Sequence, residues 1–166
     1  MQYDGRSELL DAAPKRLDDA LELLTEPRRN QARSDAKVRH LCAAYYLAGY
    51  AVECALKVYI ILHVEGRGRA RMDRWGQAIE YFQSLGDPLD LAGKHSHNLG
   101  RLLTASELQS ELATDSRAWR DWNLCCTWNY SARYRPDHMQ DRAKVEAFVE
   151  ACERTYRWMR QRLPLA

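Results

Sequence analysis

The chain has few of the features that mark β-sheets, membrane spans or secretion. No run of alternating β-branched residues is bounded by Asn-Gly or Asp-Gly turns, which argues against a strand-based fold. No stretch of about 18 apolar residues is free of charge, so a membrane span is not expected. The N-terminal segment is polar and acidic, whereas a secretory signal is basic and then apolar. We therefore expect a cytoplasmic protein with no membrane partner.

Cysteine and metal-ligand patterns are sparse as well. The five cysteines are an odd number without the spacing of a disulfide framework. Cys125 and Cys126 are adjacent and cannot form a CxxC metal knuckle, and His95 and His97 have no second pair at zinc spacing. We expect neither a metal nor another cofactor. Three cysteines fit helical patterns and are predicted to be small core residues: Cys42, Cys54 and Cys152.

Helical periodicity, by contrast, runs through the chain, and 166 residues suit a single domain, here residues 1–166. Pro14 is tolerated only in a first turn, so the first helix is predicted to begin at Ser7 or at Pro14, with 7–13 then a separate turn. The other predicted helices span about 30–64, 74–85, 116–130, where Ser116 can cap, and 139–163. This pattern predicts an all-α fold, an antiparallel four-helix bundle with extra short helices.

The stretch from 39 to 62 is apolar except for one acid and one base. Glu53 and Lys57 are four residues apart with the acid first, the favourable arrangement for a helical ion pair. A helix that is apolar on every side is buried, and two buried charges are costly unless they are paired. The pair is therefore a structural lock or the edge of a functional site. Gly49, in the same helix, is interpreted as a point where another helix approaches closely.

Twenty of the twenty-five basic residues are arginine. Nucleotide composition of the genome is one explanation, and the suitability of guanidinium for phosphate contacts is the other. The densest basic patch is the loop GRGRARMDR, which is either a solvated loop or a phosphate-contacting arm. Its arginines are Arg67, Arg69, Arg71 and Arg74.

Three segments of the chain resemble the HEPN family of small all-helical prokaryotic proteins. Residues 46–57, YLAGYAVECALK, are similar to the family's second-helix signature, a small-residue stretch that leads to E-x-x-x-K. His97-Asn98-Leu99 is similar to the family's His-Asp-Leu element. Trp128 followed by Arg133-Tyr134 is similar to a Trp and an Arg-Tyr step in one subgroup. Together these segments span about residues 39 to 138, which is most of the domain.

The resemblance implies an RNA-acting protein. Many HEPN members are metal-independent endoribonucleases of toxin–antitoxin or phage-defence systems, with an Arg four to six residues before a His. Arg133 and His138 have this spacing and are the implied catalytic pair. His can accept or donate the proton, and Arg can hold the phosphate. The family also implies a homodimer, with Arg135 and the arginine loop contacting RNA, and with Glu53, Lys57 and His97 supporting the groove.

A second reading of the same resemblance has no catalysis. Tyr134 stands where the family usually has a polar residue, and Pro136 falls inside the motif. Other HEPN proteins are nucleotide-binding or interaction modules that pair with a small nucleotidyltransferase-like partner, which acts as antitoxin in some systems. The tryptophans are interpreted as core residues rather than platforms for bases. The sequence leaves both readings open.

Overall fold

Seven α-helices make up the described part of the chain, residues 5–25, 34–66, 71–86, 89–131 and 141–163 of a computed structural model. Helices account for 81% of these residues and none of them is in a strand, so the fold is all-α as predicted. The helices are α1 (Arg6–Thr25), α2 (Ser34–Gly66), α3 (Trp75–Ser84), α4 (Leu99–Ser106), α5 (Gln109–Thr114), α6 (Ser116–Cys125) and α7 (Arg142–Arg160). A 3₁₀ turn, Gly93–His97, precedes α4.

α1 is one continuous helix with Pro14 inside it, so the predicted separate turn over 7–13 is wrong. Pro14 has no N–H to donate to the carbonyl of Leu10, and an interior proline costs about 3 kcal/mol. Packing outweighs this cost, since buried residues lie on both sides of the proline and face α2. The buried residues are Leu9, Ala12, Ala13, Leu17, Ala20 and Leu24.

α2 is the central helix and packs against α1, α3, α4 and α7. Most of its apolar residues between Leu41 and Val64 are buried and the others are partly buried, in line with the all-round apolar pattern. The part from His40 to Gly66 is long and apolar enough to cross a membrane by length and composition. A buried core helix passes the same test, and 72% of this apolar stretch is buried by the protein itself.

α7 covers α2 on another side and also packs against α1 and α6. The buried apolar face of α7 includes Val145, Phe148, Val149, Cys152, Tyr156 and Met159. The three predicted core cysteines, Cys42, Cys54 and Cys152, are buried as well.

Helix ends follow side-chain caps that the sequence only partly indicates. Asp115 caps α6 by accepting from the N–H groups of Arg117 and Ala118, so the predicted cap Ser116 is instead the first helical residue. Asp141 caps α7 in the same way. α6 ends at Cys125, five residues before the predicted end. The residues after Cys125 leave the helix and form one wall of the site described below.

Candidate functional site

The predicted Glu53–Lys57 pair forms inside the protein and has a third member. Lys57 Nζ lies 2.6 Å from Glu53 Oε1. His97 Nδ1 lies 3.0 Å from Glu53 Oε1 and 3.1 Å from Oε2, although the two residues are 44 positions apart. The structure therefore brings together all three residues that the sequence assigned to the groove.

Burial makes this cluster asymmetric. The Glu53 side chain is fully buried and the Lys57 side chain is 9% exposed, whereas a third of the His97 side chain is exposed. The Lys57 ammonium also lies 5.3 Å from the centre of the Trp75 ring at the start of α3, a cation–π distance. The buried carboxylate is thus held between a buried cation and an imidazole that reaches the surface.

The neighbours of Glu53 on α2 are held in their neutral forms. Burial raises the pKa of the Cys54 thiol to about 12, and the Glu53 carboxylate adds to the rise. Burial also raises the pKa of the Tyr50 hydroxyl well above its usual value, with smaller contributions from Cys54 and Glu53. The negative charge in this part of α2 is therefore on Glu53, and Cys54 is not a thiolate nucleophile.

The 3₁₀ turn and the start of α4 set the position of His97. Asn98 caps α4, since its Oδ1 accepts from the Arg101 N–H at 3.0 Å. The Arg101 guanidinium in turn donates to the carbonyls of Leu89 and Asp90 and ties the preceding loop to the helix. Leu99 is buried where α4 packs on α2, so His97 is held two residues before a fixed helix start.

An open cavity of about 500 Å³ lies beside His97. One side comes from the 3₁₀ turn and the start of α4: His95, His97, Asn98, Leu99 and Gly100. The other side comes from the segment after α6: Cys126, Thr127, Trp128, Asn129 and Tyr130. The Tyr130 ring stacks on the His97 imidazole, with centroids 5.0 Å apart and planes at 28°.

The wall after α6 is fixed to α2 at two points. The Trp128 side chain is buried against Gly49, where an added Cβ would lie 2.1 Å from Trp128 Cδ1. The Tyr45 hydroxyl donates to the carbonyl of Thr127. Gly49 therefore permits a close approach, as predicted, but to the indole of Trp128 rather than to a second helix.

The lining gives the cavity a defined chemistry. The side-chain oxygens of Asn98 and Asn129 accept from the backbone N–H groups of Arg101 and Ser131. The side-chain NH₂ groups of these two asparagines then remain as hydrogen-bond donors. His97 and Tyr130 add aromatic faces, a combination that suits a planar, hydrogen-bonding ligand. Among the described residues, no group of three or more His, Cys, Asp and Glu side chains could hold a metal ion.

The remaining predicted site residues either fall outside the described residues or do not line the cavity. Arg133, Arg135 and His138 lie outside the described residues, as do Arg67 and Arg69. Arg71 pairs with Asp73 at 3.0 Å, with both side chains exposed, and Arg74 directly precedes α3. Neither Arg71 nor Arg74 lines the cavity.

No site role was predicted from the sequence for four residues of the wall after α6: Cys126, Thr127, Asn129 and Tyr130. These residues lie between α6 and the Arg133–His138 motif, and three tryptophans lie in α6 or shortly after it. That position was one available signal. The predicted core role of the tryptophans agrees with the structure, where Trp75, Trp122, Trp128 and Trp158 are buried.

Comparisons of the chain with protein-family models, curated proteins and solved structures found no match.

Proposed function

We propose that this chain is a HEPN-type protein that acts on RNA as a metal-independent endoribonuclease, in a cytoplasmic toxin–antitoxin or phage-defence system. One observation carries the proposal. The three segments that resemble the family are far apart in sequence, yet their residues meet at one place: Glu53, which pairs with Lys57, contacts His97, and Trp128 lines the cavity beside His97. The bundle is proposed to be the antiparallel four-helix arrangement of that family.

In this proposal, Arg133 holds the scissile phosphate and His138 exchanges a proton with a reacting oxygen. The two residues come three and eight positions after Tyr130, the last residue of the cavity lining. The cavity takes a base of the RNA, with stacking from the Tyr130 and His97 rings. Arg135 and the arginine loop, including Arg71 and Arg74, contact phosphates further along. A homodimer brings two such motifs into one groove.

The experiment measures mass and activity in one preparation. Size-exclusion chromatography with light scattering gives the oligomeric state, and mixed RNAs are then incubated with the protein in EDTA. Wild type is expected to elute as a dimer and to cleave, while His138→Ala lowers the rate by about 10²–10⁴-fold. His63→Ala is the matched control, because His63 lies in the last turn of α2 and pairs with Glu107, outside the cavity.

Two results would count against the proposal. If the wild-type protein cuts no RNA in EDTA and its overexpression is harmless to cells, the proposed enzymatic function is refuted. Equal cleavage by wild type and His138→Ala, with the same helical circular dichroism, overturns the catalytic role of His138.

A second candidate is the non-catalytic HEPN module, and the cavity itself favours it. A volume of about 500 Å³ falls in the range of small-molecule sites, and the Asn98 and Asn129 amides suit the edge of a nucleobase. This candidate predicts nucleotide binding without cleavage, and no effect of His138→Ala. It also predicts co-purification with a small nucleotidyltransferase-like protein encoded next to this chain.

A further inference from the structure

The contact between His97 and Glu53 sets which nitrogen of the imidazole carries the proton. Nδ1 faces both carboxylate oxygens, at 3.0 and 3.1 Å. An ionised carboxylate only accepts hydrogen bonds, so Nδ1 must be the donor. In neutral His97, Nε2 then has no proton and presents its lone pair.

Lys57 supports this arrangement by balancing the charge of Glu53. Its Nζ lies 2.6 Å from Glu53 Oε1, so the buried pair is neutral overall and needs no proton on His97 to compensate it. When Nε2 does accept a proton, the imidazolium has the carboxylate directly at Nδ1. A carboxylate placed in this way orients an imidazole and stabilises its charged form.

The second nitrogen of His97 is the one available to a ligand. Nε2 makes no hydrogen bond to any residue within the described ranges, and the ring lines the cavity. The Tyr130 ring, stacked at 5.0 Å, fixes the plane of the imidazole. Another His–carboxylate contact, His63 with Glu107, differs because Nε2 of His63 is the nitrogen that faces the carboxylate, at 3.3 Å.

We propose that His97 Nε2 is the proton acceptor of the cavity and that it takes the 2′-hydroxyl proton of bound RNA, with Glu53 as its positioning residue. This inference rests on the proposed function. In the step, the O2′–P bond forms and the P–O5′ bond breaks, which leaves a 2′,3′-cyclic phosphate. The O2′ proton moves to Nε2, and the departing O5′ takes a proton from the general acid assigned to His138 or from water.

The variant His97→Gln tests the proposal against a purely structural role of the contact. Glutamine can still donate a hydrogen bond to Glu53, but it cannot accept the substrate proton. We expect a fall of about 10²–10⁴-fold in the single-turnover cleavage rate, with loss of the acidic limb of the pH profile. The variant is expected to bind an RNA with a 2′-deoxy substitution at the cleavage site with an affinity within a few-fold of that of the wild-type protein. His63→Gln is the matched control and keeps the rate and profile.

A spectroscopic measurement makes the test independent of activity. In ¹⁵N-labelled wild-type protein, long-range ¹H–¹⁵N correlation spectra report which imidazole nitrogen carries the proton. The proposal requires the Nδ1–H form for His97, with conversion toward the other form in the double variant Glu53→Gln/Lys57→Met. That double variant removes both buried charges together, so neither partner is left uncompensated.

The outcomes separate the inference from the function on which it rests. Cleavage by wild type that survives His97→Gln with an unchanged pH profile overturns the inference and leaves the proposed function standing. An Nε2–H form of His97 in the wild-type protein also overturns it. Absence of cleavage by wild type overturns the proposed function, and proton transfer by His97 falls with it.

Discussion

Replacing Gly49 with alanine tests how closely α2 and the cavity wall fit together. An added Cβ would lie 2.1 Å from Trp128 Cδ1 and 2.3 Å from Cγ and Nε1, three atoms of one rigid ring. To restore ordinary van der Waals separation, the indole or α2 must move by roughly 1.5 Å. Because Trp128 is buried, this movement is resisted by everything packed around the ring, including Tyr46.

Two opposing terms set the magnitude. Overpacking a core costs about 1–3 kcal/mol, and complete loss of tryptophan packing costs about 3–5 kcal/mol. Alanine gains about 1 kcal/mol over glycine in a helix interior. We therefore expect Gly49→Ala to lower the free energy of unfolding by about 1–3 kcal/mol, equivalent to a Tm lower by roughly 2–12 °C.

Thermal unfolding followed by circular dichroism measures the change, with Gly66→Ala as the matched control. Gly66 ends the same helix, and an added Cβ there meets nothing within 4 Å. The control is expected to match wild type or to gain up to about 1 kcal/mol. Adding Trp128→Ala to Gly49→Ala should cost less than Trp128→Ala alone, since removal of the indole also removes the overlap. If Gly49→Ala is as stable as Gly66→Ala, the close approach of Trp128 to α2 is refuted.

Two further predictions concern stability. Lys57→Met leaves the fully buried Glu53 without its cation and should lower the free energy of unfolding, measured in urea, by about 3–5 kcal/mol. The double variant Lys57→Met/Glu53→Gln should recover part of this loss. If the losses of the two single variants simply add in the double variant, the pairing is contradicted. Hydrogen bonds from the Ala118 N–H, and then from the Arg117 N–H, lower the pKa of Asp115 below its usual 3.8 in the folded protein. The stabilisation from this cap is therefore present above the unfolded pKa and is lost as the pH falls through the folded pKa. The stability difference between wild type and Asp115→Ala should therefore shrink as the pH falls below about 5. Asparagine at position 115 is a cap that does not titrate, so the same pH profile of stability in wild type and Asp115→Asn would contradict the linkage.

The sequence predicted the elements whose signals are local. Apolar residues three and four apart gave the buried faces of α2 and α7, and the same spacing put Glu53 and Lys57 in contact. Local rules were wrong where packing opposed them. Pro14 does not mark the start of a helix, because it lies inside α1, which is buried against α2 on both sides of the proline.

The site shows the same division between local and long-range information. His97 was a candidate from its motif, but its hydrogen bonds to Glu53 cross 44 residues and depend on how α4 packs on α2. Tyr130 and Asn129 have no periodic signal, because they lie beyond the end of α6. The register in which Trp128 meets Gly49 is likewise a property of two segments packed together.

By itself, the sequence determined an all-helical chain with an ion pair buried in its central helix, because helical periodicity and i,i+4 contacts depend on residues within one or two turns. Only the tertiary structure decided that an imidazole joins this pair and that an aromatic wall closes a cavity beside it. These contacts arise where distant segments pack, and shape complementarity between side chains, rather than local spacing, determines which of them meet.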